Sequence, residues 1–410
     1  MARQETPTAQ SARPGGAIRV TPVSALKKCH RFQQRPDFEC IALLLQGGGA
    51  LGAYQAGCYE ALSEAGIQPN WVAGISIGAI NSAIIAGNPP QDRVAKLRQF
   101  WERITIDLYE AWPPDLVALW LKGDWGRRIA SQISASVAMV DGAAGFFTPR
   151  SPSPWFQPNG SIEATSYYDT GNLKGTLESL VDFDRINAGD IRFSVGAVNV
   201  RSGNFVYFDS TADTIGPEHV IASGALPPGF AAVEIDGERY WDGGLVSNTP
   251  LQWVLDSVPR QDTLAFQVDL WSARGDFPGN LAEVETRRKE IQHSSRSRAN
   301  TDQFKYAQRI RHTIASLLEQ LPDELKRSPD AILLSKAADH KVYTIVHLIY
   351  RAGGYEGHAK DYEFSRSSME THWTAGYHDT VRTLRHPRLL DRPANHEGVM
   401  IYDVERDGRG

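Results

Sequence analysis

Cysteine is scarce in this chain, and no long apolar run is present. The three cysteines, Cys29, Cys40 and Cys58, are crowded toward one end and lack the spacing of a zinc site or a disulfide framework, which favours a reducing compartment. No run reaches the roughly 18 to 20 apolar residues of a membrane span. No loop offers the clustered acidic side chains that bind calcium. We therefore predict a cytoplasmic protein that uses no metal and no other cofactor.

A strong charge of either sign is also missing. The formal net charge is -5 over 410 residues, so the overall composition gives no indication of nucleic-acid binding. With 41% hydrophobic and 22% charged residues, the chain can bury a large core. We predict no nucleic-acid partner, and we expect any contact with a membrane to be peripheral.

The chain divides into three stretches. Residues 1–37 are polar and contain scattered basic side chains, which predicts a disordered or loosely attached leader, either a solvated tail or an anchor for an anionic surface. Residues 38–275 alternate between strand and helix patterns, which predicts an α/β sandwich with its site at the carboxyl edge of a mainly parallel sheet. Residues 276–410 are predicted to form an α+β extension of unknown role.

The most informative stretch is residues 72–81, V-A-G-I-S-I-G-A-I-N. Gly74, Ser76 and Gly78 form G-x-S-x-G, the pattern of a nucleophile elbow, in which a serine lies on a strained turn between a strand and a helix. A side chain at either glycine would collide with the turn or with the adjoining element. The pattern is weak by itself, but the apolar segments on both sides predict the required strand and helix.

A glycine cluster follows the buried strand predicted at residues 40–45. Gly47, Gly48 and Gly49 lead into a helix, which directs several backbone N–H groups into one anion-sized space. A phosphate or the oxyanion of a tetrahedral acyl intermediate would suit that space. The next strand ends in the serine turn rather than in an acidic residue, and no Lys-Ser or Lys-Thr follows, so a dinucleotide site and a P-loop are disfavoured. We favour the oxyanion hole, with a purely structural turn as the alternative.

The segment 105–170 combines aromatic side chains with many Pro, Gly and Ser residues and has no clear periodicity. Its aromatic residues include Trp112, Trp120, Trp125, Phe146, Phe147, Trp155 and Phe156. They could form the walls of an apolar tunnel, a mobile lid over the serine, or a separate hydrophobic cluster. The pattern does not distinguish these three roles.

A third motif, Asp242-Gly243-Gly244, ends a later predicted strand. On its own it would be read as a turn. Together with the glycine cluster and the serine turn, however, it resembles the patatin-like phospholipase family in content and in order, over residues 38–270. Two supporting stretches, residues 194–199 and 222–227, also resemble that family.

The resemblance implies a three-layer α/β/α sandwich that hydrolyses acyl esters through a Ser-Asp dyad. Carried over by motif, Ser76 would be the nucleophile and Asp242 its base, and residues 38–275 would form the catalytic domain. The oxyanion hole would consist of the amides of Gly47, Gly48 and Gly49. A carboxylate can act as such a base where burial raises its affinity for protons.

The main mechanistic alternative is a Ser-Asp-His triad. It would combine Asp242 with a later histidine, namely His293, His312, His340, His347 or His358. None of these lies in a recognisable catalytic pattern, so we favour the dyad. His219 precedes Asp242 in the chain and is predicted to be a surface or helix-start residue.

The sequence therefore predicts a lipid acyl hydrolase of the phospholipase A or esterase type, whose partner is a lipid or another acyl ester. One alternative is hydrolysis of a different ester, such as a storage polyester or a thioester, and another is a catalytically silent lipid-binding module. The basic residues in 283–313 form either a solvated helical face or a surface for anionic lipid head groups. The extension could complete the sheet, line the acyl pocket or contact a second copy of the chain.

Overall fold

Most of the chain is described in the computed structural model, in residues 32, 34–106, 123–294, 297–351, 356–357 and 359–403. The predicted leader, residues 1–37, lies outside this part of the chain except for residues 32 and 34–37. Trp112 and Trp120 of the aromatic segment also lie outside the described residues.

The strands of the described residues are short and mostly buried. They are β1 (Cys40–Leu45), β2 (Trp71–Gly74), β3 (Thr148–Pro149), β4 (Tyr168–Asp169), β5 (Arg192–Asn199), β6 (Phe205–Asp209), β7 (Val233–Ile235), β8 (Glu238–Asp242), β9 (Thr263–Asp269), β10 (Tyr343–Ile349) and β11 (Val399–Tyr402). Nine of them form one sheet in the order β11-β10-β9-β1-β2-β5-β8-β7, with β6 pairing with β5. The six strands from β11 to β5 run parallel, whereas β6, β7 and β8 pair in antiparallel fashion.

Helices connect most of these strands within the described residues. They are α1 (Ala53–Glu64), α2 (Ile77–Ala86), α3 (Arg93–Ile104), α4 (Gly123–Asp141), α5 (Gly171–Leu180), α6 (Phe183–Asn187), α7 (Pro217–Ser223), α8 (Leu251–Leu255), α9 (Leu281–His293), α10 (Ser297–Gln320), α11 (Asp323–Lys326), α12 (Pro329–Ala337) and α13 (Arg366–Leu384). Among the described residues, none of the helices combines the length and the apolar character needed to cross a membrane.

Both faces of the sheet are covered, as strand β1 illustrates. Its odd-numbered residues, from Ile41 to Leu45, join a core that also contains buried side chains of α1, α2 and α3. Its even-numbered residues, from Cys40 to Leu44, join a second core that contains side chains of α8 and α10. Side chains alternate between the faces of a strand, so an all-apolar run buried on both sides indicates a strand in the middle layer. The three-layer α/β/α fold class is thereby confirmed.

The C-terminal part of the chain is built into the same sheet. Strand β10 pairs in parallel with β9, and β11 pairs in parallel with β10. Helix α13 packs against α1, and any side chain at Gly57 or Gly376 would collide with the backbone of the other helix. The extension therefore completes the sheet, which is one of the roles that the sequence left open for it. The division at residues 275 and 276 stays a prediction.

The aromatic segment is more regular than its composition suggested. Residues 123–141 form α4, a helix that Gly and Ser positions had obscured. Phe146 and Phe147 are buried in the main core, whereas Trp155 and Phe156 are 80% and 82% exposed. The segment thus contributes both buried core side chains and exposed aromatic side chains. A role of this segment as a lid over the serine stays a prediction.

Candidate active site

Ser76 occupies the turn between β2 and α2. Strand β2 ends at Gly74 and α2 begins at Ile77, and Ser76 between them has φ 55° and ψ -124°. A positive φ is uncommon and strained for a residue other than glycine, and such strain is concentrated at functional sites. The Ser76 amide donates a hydrogen bond to the hydroxyl of Ser223 at 3.0 Å, and this contact helps to hold the strained turn.

The two glycines that flank Ser76 are required by close backbone approach. A Cβ atom at Gly74 would collide with the carbonyl oxygen of Gly78. A Cβ atom at Gly78 would in turn collide with the carbonyl oxygen of Leu45, at the end of β1. The turn therefore packs against the neighbouring strand without room for a side chain, and this is the local reason for the G-x-S-x-G pattern.

Strand β5 brings Asp242 to the serine turn. Gly74 at the end of β2 lies opposite Val195 of β5, and Asp242 at the end of β8 lies opposite Ala197 of the same strand. Because β8 is antiparallel to β5, its last residue is the one closest to the end of β2. The chain then turns sharply into a short 3-10 helix, Gly243–Leu245, as the two glycines after Asp242 suggested.

The carboxyl group of Asp242 is buried, which changes its acidity. Asp242 is only 3% exposed, and this burial raises its pKa to about 6. The rise in pKa is opposed by the hydrogen bond from the Gly244 amide at 2.7 Å and by the nearby Ser76 side chain, which also favours the ionised carboxylate. Asp242 and Ser76 line the same cavity, and a raised pKa suits a general base, so this role for Asp242 stays a prediction.

The glycine cluster lines the same cavity as Ser76 and Asp242. Gly49 has φ 56°, and a Cβ atom there would collide with the carbonyl oxygen of Asp361. Among the described residues, no acceptor receives a hydrogen bond from the amides of Gly47, Gly48 or Gly49. These three N–H groups thus have no acceptor within the described residues, and their role as an oxyanion hole stays a prediction.

The cavity has a volume of about 350 Å³ and one strongly aromatic wall. Five rings form this wall, with neighbouring ring centroids 5.0 to 6.1 Å apart, and they belong to Phe146, Phe147, Tyr168, Phe230 and Phe364. The aromatic segment supplies three of the rings and the C-terminal extension supplies one. Among the roles left open above, part of the aromatic segment forms the wall of an apolar pocket, and the extension lines that pocket as well.

The remaining lining residues include polar groups around the glycine cluster. Asn248, Trp271, His293 and Asp361 all border the cavity. The His293 ring lies 5.4 Å from the Trp271 ring, and burial lowers the pKa of His293, which favours the neutral imidazole. Among the described residues, neither ring nitrogen of His293 hydrogen-bonds a carboxylate.

The histidines proposed for a triad are therefore scattered. His293 borders the cavity, His312, His340 and His347 do not, and His358 lies outside the described residues. His219 is in the first turn of α7, where its Nδ1 accepts a hydrogen bond from the Gly216 amide at 3.0 Å. Of the two alternatives predicted for it, helix start is the one that applies, because it lies in the first turn and is only 6% exposed.

Sequence reasoning missed Gln46, whose side chain hydrogen-bonds several segments next to the glycine cluster. Its side chain is completely buried and donates hydrogen bonds to the Thr249 hydroxyl and the His293 carbonyl, both at 3.2 Å. Its side-chain oxygen accepts the amides of Leu270 and Trp271 at 2.6 and 3.0 Å. A polar residue directly after a fully apolar strand was the available signal, because a buried amide needs such partners.

Fold and site together define an α/β protein with a serine on a strand-to-helix turn, and this serine shares a cavity with a buried carboxylate and a glycine cluster. A family model described as patatin-like phospholipase matches residues 43–255, and a second, described as patatin phospholipase, matches residues 291–396. The chain belongs to the patatin-like phospholipase family, and it carries the C-terminal extension as well.

Two further comparisons give less information about this chain. A stretch of 57 residues is 46% identical to lysophospholipase nte1 of Aspergillus terreus (strain NIH 2624 / FGSC A1156), which is 14% of this chain and 4% of that protein. The crystal structure of VipD from Legionella pneumophila is 16% identical, with 90% of this chain and 72% of that chain covered and a TM-score of 0.37. At that TM-score the similarity supports no conclusion about this chain.

Proposed function

We propose that this protein is a lipid acyl hydrolase of the phospholipase A or esterase type, and that it works through a dyad of Ser76 and Asp242. The observation that carries the proposal is the shared cavity, which is lined by the strained Ser76, by the buried Asp242 and by the glycine cluster. Family membership supports the class of reaction, and the geometry supports the choice of residues.

The first half of the reaction would acylate Ser76. Its Oγ attacks the ester carbonyl carbon while Asp242 accepts the hydroxyl proton, and the carbonyl oxygen becomes an oxyanion. The amides of Gly47, Gly48 and Gly49 then stabilise the negative charge. When the carbon–oxygen bond breaks, Asp242 returns the proton to the leaving alcohol, and the acyl group stays on Ser76.

The second half would release the acid with the same groups. Asp242 takes a proton from a water molecule, and the resulting hydroxide attacks the acyl carbon. The oxyanion forms again at the glycine amides and collapses, and Ser76 leaves with the proton that Asp242 held. No step is assigned to a histidine or to a metal.

The aromatic wall favours an acyl chain as the part of the substrate that enters the cavity. Its rings line the same cavity as Ser76 and present an apolar surface. An alkyl chain bound against these rings would remove apolar surface of both partners from water, which is favourable. A storage polyester or a thioester would use the same nucleophile, so those alternatives concern the leaving group rather than the mechanism. A silent lipid-binding module is less well supported, because it would need neither the strained serine nor its carboxylate partner.

Covalent labelling tests the proposal most directly. Incubation of the purified full-length chain with a fluorophosphonate should give one adduct per molecule, and peptide mass spectrometry should locate it on Ser76. The reason is that an activated serine attacks phosphorus and the tetrahedral product occupies the oxyanion hole. An unlabelled protein, or an adduct on another residue, would refute the assignment of Ser76.

The acidity of Asp242 predicts how the activity depends on pH. The base must be ionised to accept the serine proton, and the pKa of Asp242 is about 6. The rate should therefore fall about tenfold per pH unit below that value and reach a plateau above it. Initial rates of ester hydrolysis between pH 4 and pH 8 would measure the profile, and a flat profile down to pH 4 would show that a different group is the base.

A further inference from the structure

Every carbonyl group that precedes one of the three available amides is itself held by a hydrogen bond. The Gln46 carbonyl accepts Nε2–H of Gln55 at 2.6 Å, and the Gly48 carbonyl accepts the Leu51 amide at 3.2 Å. The Gly47 carbonyl accepts two side-chain donors, Nδ2–H of Asn248 at 3.1 Å and Nε1–H of Trp271 at 3.0 Å. The glycine cluster therefore has little freedom to rotate its peptide groups.

These contacts have a direct consequence for the amides, because a peptide group is planar. In a trans peptide the C=O and the N–H point in opposite directions, so fixing the carbonyl of one residue fixes the amide of the next. The peptide bonds of the glycine cluster are trans, since the cis bonds of the described residues precede Pro152, Pro228 and Pro259. The two donors on the Gly47 carbonyl thus set the direction of the Gly48 N–H.

The two donors are themselves held in place. Nδ2 of Asn248 also donates to the His293 carbonyl at 3.0 Å, so both of its hydrogens bind backbone carbonyls. Trp271 is 4% exposed, and its amide donates to the buried side chain of Gln46. Donors with few alternative partners orient an acceptor more firmly than solvated ones, and hydrogen bonds to a carbonyl also polarise the attached N–H.

We propose that Asn248 and Trp271 are positioning residues that direct the Gly48 amide toward the oxyanion. This inference rests on the proposed function and adds to it a requirement on residues that do not touch the reacting atoms. It also gives a role to the end of α9, because the His293 carbonyl holds Asn248 and the His293 ring packs on Trp271. The extension would thus support the oxyanion hole as well as line the pocket.

The test compares three variants with a matched control. Asn248→Leu removes one donor, Trp271→Phe removes the other, and the double variant removes both. The control is Trp253→Phe, which makes the same chemical change at an indole whose N–H donates to Ser194 at 3.2 Å and which does not border the cavity. Thermal melting of each protein identifies variants that fail to fold, and Asn248→Ala replaces Asn248→Leu if the larger side chain is not accepted.

Each single variant should lose about tenfold in kcat, since one positioning hydrogen bond contributes on the order of a kilocalorie and an energy of about 1.4 kcal/mol changes a rate tenfold. The Michaelis constant should change little, because the oxyanion exists only after the substrate has bound. The double variant should lose more than the product of the two single losses, because either donor alone still restrains the shared carbonyl. Trp253→Phe should keep the wild-type kcat.

Other outcomes overturn the inference in distinguishable ways. Wild-type kcat in the folded double variant, or a loss confined to the Michaelis constant, refutes the positioning role while the dyad stands. A loss of kcat in Trp253→Phe equal to that in Trp271→Phe also refutes it, because the effect would then belong to any indole-to-phenyl change. A wild-type protein without ester hydrolysis or labelling refutes the proposed function, and the positioning role with it.

Discussion

Replacing Ser76 with alanine is expected to abolish ester hydrolysis, with a loss in kcat of about a thousandfold or more. The variant keeps the cavity and the oxyanion amides but has no atom that can form the acyl intermediate, and removal of a serine nucleophile elsewhere costs up to about a millionfold in kcat. Initial rates with a panel of esters of graded acyl length would measure the loss, and the same panel would rank acyl chains for the wild type.

The control for this variant lies on the helix that follows the serine. Ser82 in α2 is completely buried, and its hydroxyl has no hydrogen-bond partner among the described residues. Ser82→Ala therefore removes a hydroxyl group from the helix that follows Ser76 without affecting the proposed chemistry, and activity should stay at the wild-type level. Full activity in Ser76→Ala would contradict the assignment of the nucleophile.

Replacing Asp242 with asparagine is expected to reduce kcat about a thousandfold to ten-thousandfold, because an amide cannot accept the serine proton. The amide oxygen can still accept the Gly244 N–H, so the turn should keep its shape. The measurement is kcat for the purified variant, alongside His293→Gln. If the dyad mechanism is correct, His293→Gln should reduce kcat far less than Asp242→Asn does. A larger reduction of kcat in His293→Gln than in Asp242→Asn would favour the triad.

The same substitution should make the protein more stable at neutral pH. The pKa of Asp242 is about 6 in the folded chain, against an ordinary value of 3.8. The folded state therefore holds more protons than the unfolded state between about pH 4 and pH 6, and stability falls as the pH rises through that window. At pH 7 the ionised carboxyl group costs roughly 2 to 3 kcal/mol, which Asp242→Asn removes. Melting temperatures at pH 4 and pH 7 would reveal the difference.

The elements that the sequence predicted well are those with a local cause. Residues 40–45 are apolar at every position, and only a strand covered on both faces satisfies that pattern in a short segment. Gly74 and Gly78 flank Ser76 because the turn leaves no room for a side chain, and that requirement is visible in three residues. The family and the fold class follow from such motifs, and both are confirmed.

The parts that could not be predicted depend on contacts between distant residues. Asp361 lies over Gly49 and accepts the Ala50 amide at 2.8 Å, although more than three hundred residues separate the two segments. Helix α4 lacked a signal because glycine and serine weaken a helical pattern, while packing against the pocket supports it. Asn248 gave no signal because an asparagine near a proline is typical of any turn.

The position of β1 in the sheet has a consequence for how the protein is made. Its partner β9 begins more than half a chain length later, at Thr263, and Asp361 follows later still. At about 5 to 20 residues per second of translation, β1 waits on the order of ten to forty seconds on the ribosome with one edge unpaired. An emerging chain therefore carries the serine motif long before the glycine cluster acquires its final supports. Synthesis thus delays completion of the candidate site until the segment around Asp361 has left the ribosome.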